Sequence, residues 1–420
     1  MNFKFQISNF KFQNSILKIT GSKSETNRLL LLQALYPNLL LENTSNSDDS
    51  EVMIKALNTQ YPKPKTQYLK IDVHHAGTAM RFLTAYFAAQ DGFEVQLTGS
   101  SRMKERPIKI LVDALNQLGA EITYEEKEGF PPLKIKGKKL TKSKISLPAN
   151  VSSQYISALL LIAPKLEYGL EVTLEGETTS VPYINMTLAL LNEMGIETSF
   201  IENKIIIKPQ FSNYNSQFII ESDWSSASYW YSIIALSEIG TEITLSRFKE
   251  NSLQGDFALV EIYKNFGVET VFNDNNSITV SKVNTKFQKS FNFNLQSSPD
   301  IAQTIAVTCF GLGISCHLSG LHTLKIKETD RLEALKIELT KLGAAISVTN
   351  DSLTLEQSEN IHPNVTISTY QDHRMALAFA PLALKVPIVI ENAEVVSKSY
   401  PTFWEDCKQF GFVLEENVSN

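Results

Sequence analysis

Six stretches of the chain are apolar on nearly every side and open on a short polar turn: "SETNRLLLLQALYP", "AGTAMRFLTAYFAAQ", "SSQYISALLLIAPKL", "SSASYWYSIIALSEIG", "SPDIAQTIAVTCFGLG" and "DHRMALAFAPLALKV". A helix without a polar face has to be buried, so these six predict the helices at the centre of the fold. Five further segments show helical spacing with one polar side and end in a bulky apolar residue and glycine before a strand-like run: "LVDALNQLGAEITYE", "LALLNEMGIETSF", "LVEIYKNFGVETVF", "LKIELTKLGAAISV" and "FWEDCKQFGFVLE". Glycine just past a last turn is the expected left-handed cap, so each predicts helix, stop, strand. Between the two kinds of helix lie alternating runs such as "FEVQLTG", "LEVTLEG", "TEITLS" and "IVIENA", which predict strands.

The capping glycines, Gly119, Gly195, Gly267, Gly343 and Gly411, recur about every 70 residues, the mark of a repeated unit. The module is helix, strand, helix, strand, present six times. Six modules exceed one core, so two α/β domains of three modules each are expected. The alternating N-terminus "MNFKFQISNFKFQ" has no module of its own and is expected to complete the C-terminal domain. The expected boundaries are therefore 21–221 for one domain and 1–20 with 222–420 for the other.

Composition narrows the function classes. The hydrophobic share of 43% and charged share of 20% describe a globular chain. A net charge of −6 argues against nucleic acid or an anionic membrane as partner, so any anion must meet a local basic cluster. Three scattered cysteines, Cys309, Cys316 and Cys407, make no disulfide framework. The N-terminus lacks a signal-peptide core and no run is long enough to span a membrane, so the cytoplasm is expected.

Candidate chemistry gathers in the polar first turns. The stretch "TGSKSETNR" puts Lys23, Ser24 and Arg28 at a helix N-terminus, where exposed N–H groups and the helix dipole favour anions. It is not a nucleotide-binding P-loop, because Ser22 separates Gly21 from Lys23 and the upstream glycine is missing. Other starts offer Gly77 and Arg81; Ser152, Ser153 and Gln154; Asp223 and Ser225; Asp300; and Asp372, His373 and Arg374. The amphipathic helices open on "RMKERP", "TSVPY", "KIKETDR" and "SKSYP". Lys23, Arg106, Arg331, Arg374 and Lys398 thus supply five cations from four modules, and arginine forks suit carboxylate and phosphate. Asp300 and Glu328 stand among them, two separate acids fit to take one proton and give another. The histidines show no metal-ligand spacing; His74 and His75 are adjacent and on a strand would face opposite ways.

The motifs "GSKSETNR", "AGTAMRF", "RMKERP", "VSSQYISALL", "SVPYI", "SPDIA", "KIKETDR", "DHRMALAFAP" and "SKSYP" resemble, in order and over essentially the full length, those of the 5-enolpyruvylshikimate-3-phosphate synthase family. The resemblance implies two inside-out α/β domains of three βαβαββ repeats each, with the active site in the interdomain cleft. It implies transfer of enolpyruvate from phosphoenolpyruvate to the 5-hydroxyl of shikimate 3-phosphate, by a monomer without metal or other cofactor. On this likeness Ser152, Ser153 and Ser180 are donors to the shikimate phosphate, with Lys23 beside them, and Thr323 stands where a further phosphate contact is often asparagine. Ser24, Arg28, Tyr183 and Lys327 are ring and hydroxyl contacts. Arg106, Arg331, Arg374 and Lys398 with Gln154 clamp phosphoenolpyruvate, and Gly77 lets backbone approach that substrate and the inhibitor glyphosate. Asp300 is the base for the 5-hydroxyl and Glu328 the acid for the methylene carbon, with Lys23 counted beside them as catalytic. His75, Phe82 and Thr20 stand where many relatives carry Asn, Pro and Pro. The alternatives are the sister enzyme that acts on UDP-N-acetylglucosamine, which commonly uses a loop cysteine, and a non-catalytic anion-binding homologue.

Overall fold

A computed structural model describes residues 2–7, 16–58, 69–149, 152–176, 181–212, 216–284 and 288–416. The chain divides into two compact units, Ser22–Ile220 and Met1–Gly21 with Glu221–Asn420. Each has its own apolar core. The change of unit falls one residue inside the 21–221 span expected from the sequence, at both ends. Gly21 is bridged to Ser222, and the Glu221 carboxylate accepts from Trp224, Lys249 N–H, Ser252 and Gln254.

In Ser22–Ile220 the buried helices are Lys23–Leu35, Gly77–Ala88 and Ser153–Ile162, the last two packed together. One sheet runs Leu69–Asp72, Glu94–Thr98, Leu133–Lys136, Glu121–Tyr124, and another Lys144–Pro148, Leu170–Glu175, Lys204–Ile207, Thr198–Ile201. Both have one plan: a parallel pair joined through a buried helix, then two antiparallel strands. A parallel crossover needs a connection of a dozen residues or so, which the helix supplies. The third sheet has two parallel strands among the described residues, Leu39–Glu42 and Ser216–Ile219.

The other unit repeats the plan three times, on the buried helices Trp224–Leu236, Ala302–Leu312 and His373–Phe379. Two of its sheets take a strand from the N-terminus. Ile16–Leu17 is the parallel neighbour of Glu242–Ser246, and Phe3–Ile7 lies antiparallel between Ile388–Ile390 and Phe412–Glu416, with Phe3 opposite Ile390 and Glu416. Pairing of this kind gives a short terminal strand hydrogen bonds it cannot make alone. The five capping glycines all have positive φ, 107° at Gly119, where a side chain would be strained. His74 departs from expectation: the strand ends at Asp72, His74 has φ 48° in a turn, and so the two histidines do not alternate on a strand.

Candidate active site

In Ser22–Ile220 the polar groups lie where buried helices begin. Ser22 caps the helix Lys23–Leu35, accepting from Glu25 N–H at 3.5 Å. Lys23 is then the first helical residue, its Nζ 3.8 Å from Asp49 Oδ2. Asp49 is buried in the first turn of Asp48–Leu57, where the helix dipole favours an acid, and its neighbour Asp48 faces His75 Nε2 at 3.6 Å. Ser152 caps Ser153–Ile162 by accepting from Gln154 N–H at 3.4 Å, and the Gln154 amide donates to Thr78 Oγ1 at 3.1 Å. Ser152 is exposed and Ser153 buried, so the two hydroxyls differ in what they can offer a ligand. Ser180 lies outside the described residues.

Gly77 begins the helix Gly77–Ala88 against Arg106. A Cβ on Gly77 would stand 2.6 Å from Arg106 Nη1 and 2.9 Å from Nη2, so the guanidinium fills the space a side chain would take. The turn carrying Arg106 is held from two helices: Arg81, which also donates to Gly77 O at 3.2 Å, donates to Pro107 O at 3.0 Å, and Tyr155 of Ser153–Ile162 donates to Pro107 O as well.

Arg28 is 2% exposed. Its Nε donates to Thr187 Oγ1 at 2.8 Å, Nη1 to Ser24 O at 2.8 Å, and Nη2 to Ser157 Oγ at 3.0 Å and Tyr183 O at 3.2 Å. The guanidinium also lies over the Phe82 and Tyr183 rings. Burial brings it down to about 10, against the pull of Tyr183 and Glu25. Arg28 therefore ties Lys23–Leu35 to Ser153–Ile162 and Val181–Glu193. The half-buried Tyr183 takes its place from this contact.

In the second unit the centre is Arg331, also 2% exposed, at the start of Arg331–Lys341. Its Nε donates to Asp372 Oδ2 at 2.7 Å, Nη1 to Asp300 Oδ1 at 2.9 Å and Nη2 to Glu328 Oε2 at 2.8 Å. Burial would lower its pKa, but Asp372, Glu328 and Asp300 more than offset this and raise it. The resemblance gives Arg331 to phosphoenolpyruvate, whereas here its fork holds carboxylates. Arg374 donates to Asp300 O at 3.0 Å and to Ser225 Oγ at 3.2 Å, with Nη2 3.4 Å from Asp300 Oδ2. Lys327 Nζ is 3.5 Å from Asp300 Oδ1. Burial alone would raise Asp300, yet Arg374, Lys327 and Arg331 hold it well below the usual carboxylate range.

Asp372, wholly buried, caps His373–Phe379 by accepting from Arg374 N–H at 2.9 Å, so one carboxylate sets both arginines. The two residues before it, Tyr370 and Gln371, have φ of 54° and 56°, strained for side chains of this size. Lys398 Nζ donates to Gln371 O at 2.6 Å and steadies that turn. Thr323 is in the turn His322–Ile326, its buried hydroxyl without a hydrogen-bond partner among the described residues.

In the sequence Asp223, Ser225 and Asp372 stand out as helix starts, whereas Asp49 and Asp256 do not. For Asp256 a signal existed. "NSLQGDF" holds, in its module, the position of "RMKERP", "KIKETDR" and "SKSYP", between the second parallel strand and the amphipathic helix.

Residues 8–407 match the family described as EPSP synthase (3-phosphoshikimate 1-carboxyvinyltransferase). A protein of Bacteroides fragilis strain YCH46 named 3-phosphoshikimate 1-carboxyvinyltransferase is 44% identical over 403 residues, covering 95% of this chain and 96% of its own. One of the same name from Sulfurovum sp. strain NBC37-1 is 34% identical, covering 93% and 95%. Among solved structures, an EPSP synthase from Acinetobacter baumannii superposes with a TM-score of 0.78 at 20% identity, over 99% of this chain and 100% of that one. The enolpyruvyl transferase NikO from Streptomyces tendae gives 0.75 at 13% identity, over 100% and 99%. At those identities the structures speak for the two-domain α/β fold alone.

Proposed function

The chain belongs to the EPSP synthase family, and on that premise we propose how its residues carry the family's reaction. It is a transferase of the shikimate pathway of aromatic amino acid biosynthesis: it moves the enolpyruvyl group of phosphoenolpyruvate onto the 5-hydroxyl of shikimate 3-phosphate and releases phosphate. In our reading Lys23, Ser24, Ser152, Ser153, Ser180, Tyr183, Thr323 and Lys327 bind shikimate 3-phosphate. Arg374, Lys398, Arg331 and Arg106, with Gln154 and the backbone at Gly77, bind phosphoenolpyruvate. Arg28 acts by fixing Tyr183 and Ser24.

Asp300 takes the 5-hydroxyl proton as that oxygen bonds to the central carbon of phosphoenolpyruvate, while Glu328 protonates the methylene carbon. Loss of a methyl proton and of phosphate from the tetrahedral adduct then restores the double bond. The observation that carries this assignment is that Asp300 and Glu328 flank one buried guanidinium, with Lys327 and Arg374 on the Asp300 side. Three cations make Asp300 a poor base while the site is free of anions. A substrate bearing carboxylate and phosphate draws on the same cations, so Asp300 gains basicity when its reaction partner is present.

We further propose that the protein is a monomer of the cytoplasm. No helix of the described residues is long and apolar enough to cross a membrane. The alternative substrate, UDP-N-acetylglucosamine, is disfavoured because Cys309, Cys316 and Cys407 are all buried. Phosphate release from phosphoenolpyruvate in the presence of each acceptor tests the reading: it should require shikimate 3-phosphate, and equal turnover with the UDP-sugar would defeat it.

A further inference from the structure

Asp256 is a buried acid that the chemistry above leaves without a task. It is 4% exposed, in the turn Gly255–Ala258. That turn occupies in its module the position from which Arg106, Glu328 and Lys398 come in theirs. One Asp256 oxygen, Oδ2, accepts the Ser225 hydroxyl. Oδ1 is buried with no hydrogen-bond partner among the described residues. The Ser225 oxygen in turn accepts from Arg374 Nη2 at 3.2 Å, and Arg374 reaches Asp300 through its other contacts.

A hydroxyl has one proton and two lone pairs. With the Ser225 proton directed at Asp256, the lone pairs are left for Arg374. A buried carboxylate with an unsatisfied oxygen costs free energy, which a neutral side chain at this position would avoid. Burial pushes the Asp256 carboxyl up to about 6; Arg374 pulls it down, Asp300 and Asp223 push it up, and the Ser225 hydrogen bond pulls it down. Arg374 is thus the cation that favours its ionised form.

We propose that Asp256 is a positioning residue of the transfer reaction: by taking the Ser225 proton it turns that hydroxyl's lone pairs toward Arg374 and fixes the guanidinium for phosphoenolpyruvate. This rests on the assignment of Arg374 to phosphoenolpyruvate.

The test is steady-state kinetics of the full chain carrying Ser225→Ala, Asp256→Ala, both together, Asp256→Asn, or Arg374→Lys. Ser225→Ala and Asp256→Ala should each raise KM for phosphoenolpyruvate about fivefold or more, with kcat and KM for shikimate 3-phosphate within about twofold. The double variant should be no worse than the worse single one, because both cut one relay. Asp256→Asn keeps an acceptor oxygen and should restore most of the KM. Equal rises in both KM values, an additive double variant, or an Asp256→Asn as impaired as Asp256→Ala would overturn the proposal. Should Asp256→Ala not fold, Ser225→Ala decides, and its having no effect on KM overturns it. If Arg374→Lys leaves KM for phosphoenolpyruvate unchanged, the assignment of Arg374 fails and the proposal falls with it. If Arg374→Lys raises that KM and Ser225→Ala does not, the assignment stands and the proposal alone is overturned.

Discussion

Asp300 and Glu328 are held by the same guanidinium, Arg331 Nη1 at 2.9 Å from Asp300 Oδ1 and Nη2 at 2.8 Å from Glu328 Oε2. A planar fork fixes two acceptors at once, so the two acids are set relative to each other by a residue that need not react. Arg331 is anchored in turn by the buried Asp372.

Conservative loss of either acid should therefore damage turnover more than binding. Asp300→Asn and Glu328→Gln keep the oxygen that accepts from Arg331 but lose the transferable proton or its acceptor. Each should cut kcat about 10²–10⁴-fold, the usual worth of general acid or base action, with shikimate 3-phosphate affinity by titration calorimetry nearly unchanged. Near-normal turnover in either variant removes that residue from the chemistry.

The displaced acidity of Asp300 should appear in stability. Its folded-state pKa lies well below the ordinary value, so the unfolded chain takes up the proton first. Its contribution is complete above about pH 4 and is lost as pH falls further. Asp256 has the opposite sign: pushed up to about 6, its ionisation weakens the fold as pH rises from about 4 toward 6. Urea midpoints across pH should fall less steeply on the acid side in Asp300→Asn, and Asp256→Asn should gain on wild type at pH 7 but not at pH 4. Curves that run parallel to wild type would contradict both.

A methyl group at Gly77 meets the end of a long side chain, the Arg106 guanidinium, 2.6 Å away, and not backbone. Gly77→Ala should fold and displace that guanidinium. KM for phosphoenolpyruvate should rise and glyphosate inhibition weaken, with KM for shikimate 3-phosphate little altered. A large loss of melting temperature with unchanged KM and inhibition would show that Gly77 serves the turn alone.

Arg28→Lys keeps the charge but cannot reach Thr187, Ser24, Ser157 and Tyr183 together. We expect a loss of about 2–4 kcal/mol, the scale of a few charge-assisted hydrogen bonds, seen in thermal melting. An unchanged melting temperature with a raised KM for shikimate 3-phosphate would mean that Arg28 is a direct ligand and not a pin between helices.

The sequence by itself determined the module. Apolar helices with no polar face must be buried, glycine after a last turn must stop a helix, and these local rules repeat in every copy, so the six helices, the strands after them and the polar first turns were legible. Lys23, Gly77, Ser152, Arg331 and Arg374 were legible as helix starts, and the roles proposed for them came from the motifs' resemblance to the family. Tertiary structure alone decided the partners. That Arg331 faces Asp300 and Asp372 beyond its near neighbour Glu328, that Arg28 reaches Ser157 and Thr187 on two other helices, and that Asp256 reaches Arg374 through Ser225 depend on side chains 31 to 159 positions apart. No local pattern encodes such a meeting, because it is set by how separate modules pack. A charge's preference for one partner over another is settled by burial, which removes the water that would otherwise serve every one of them equally.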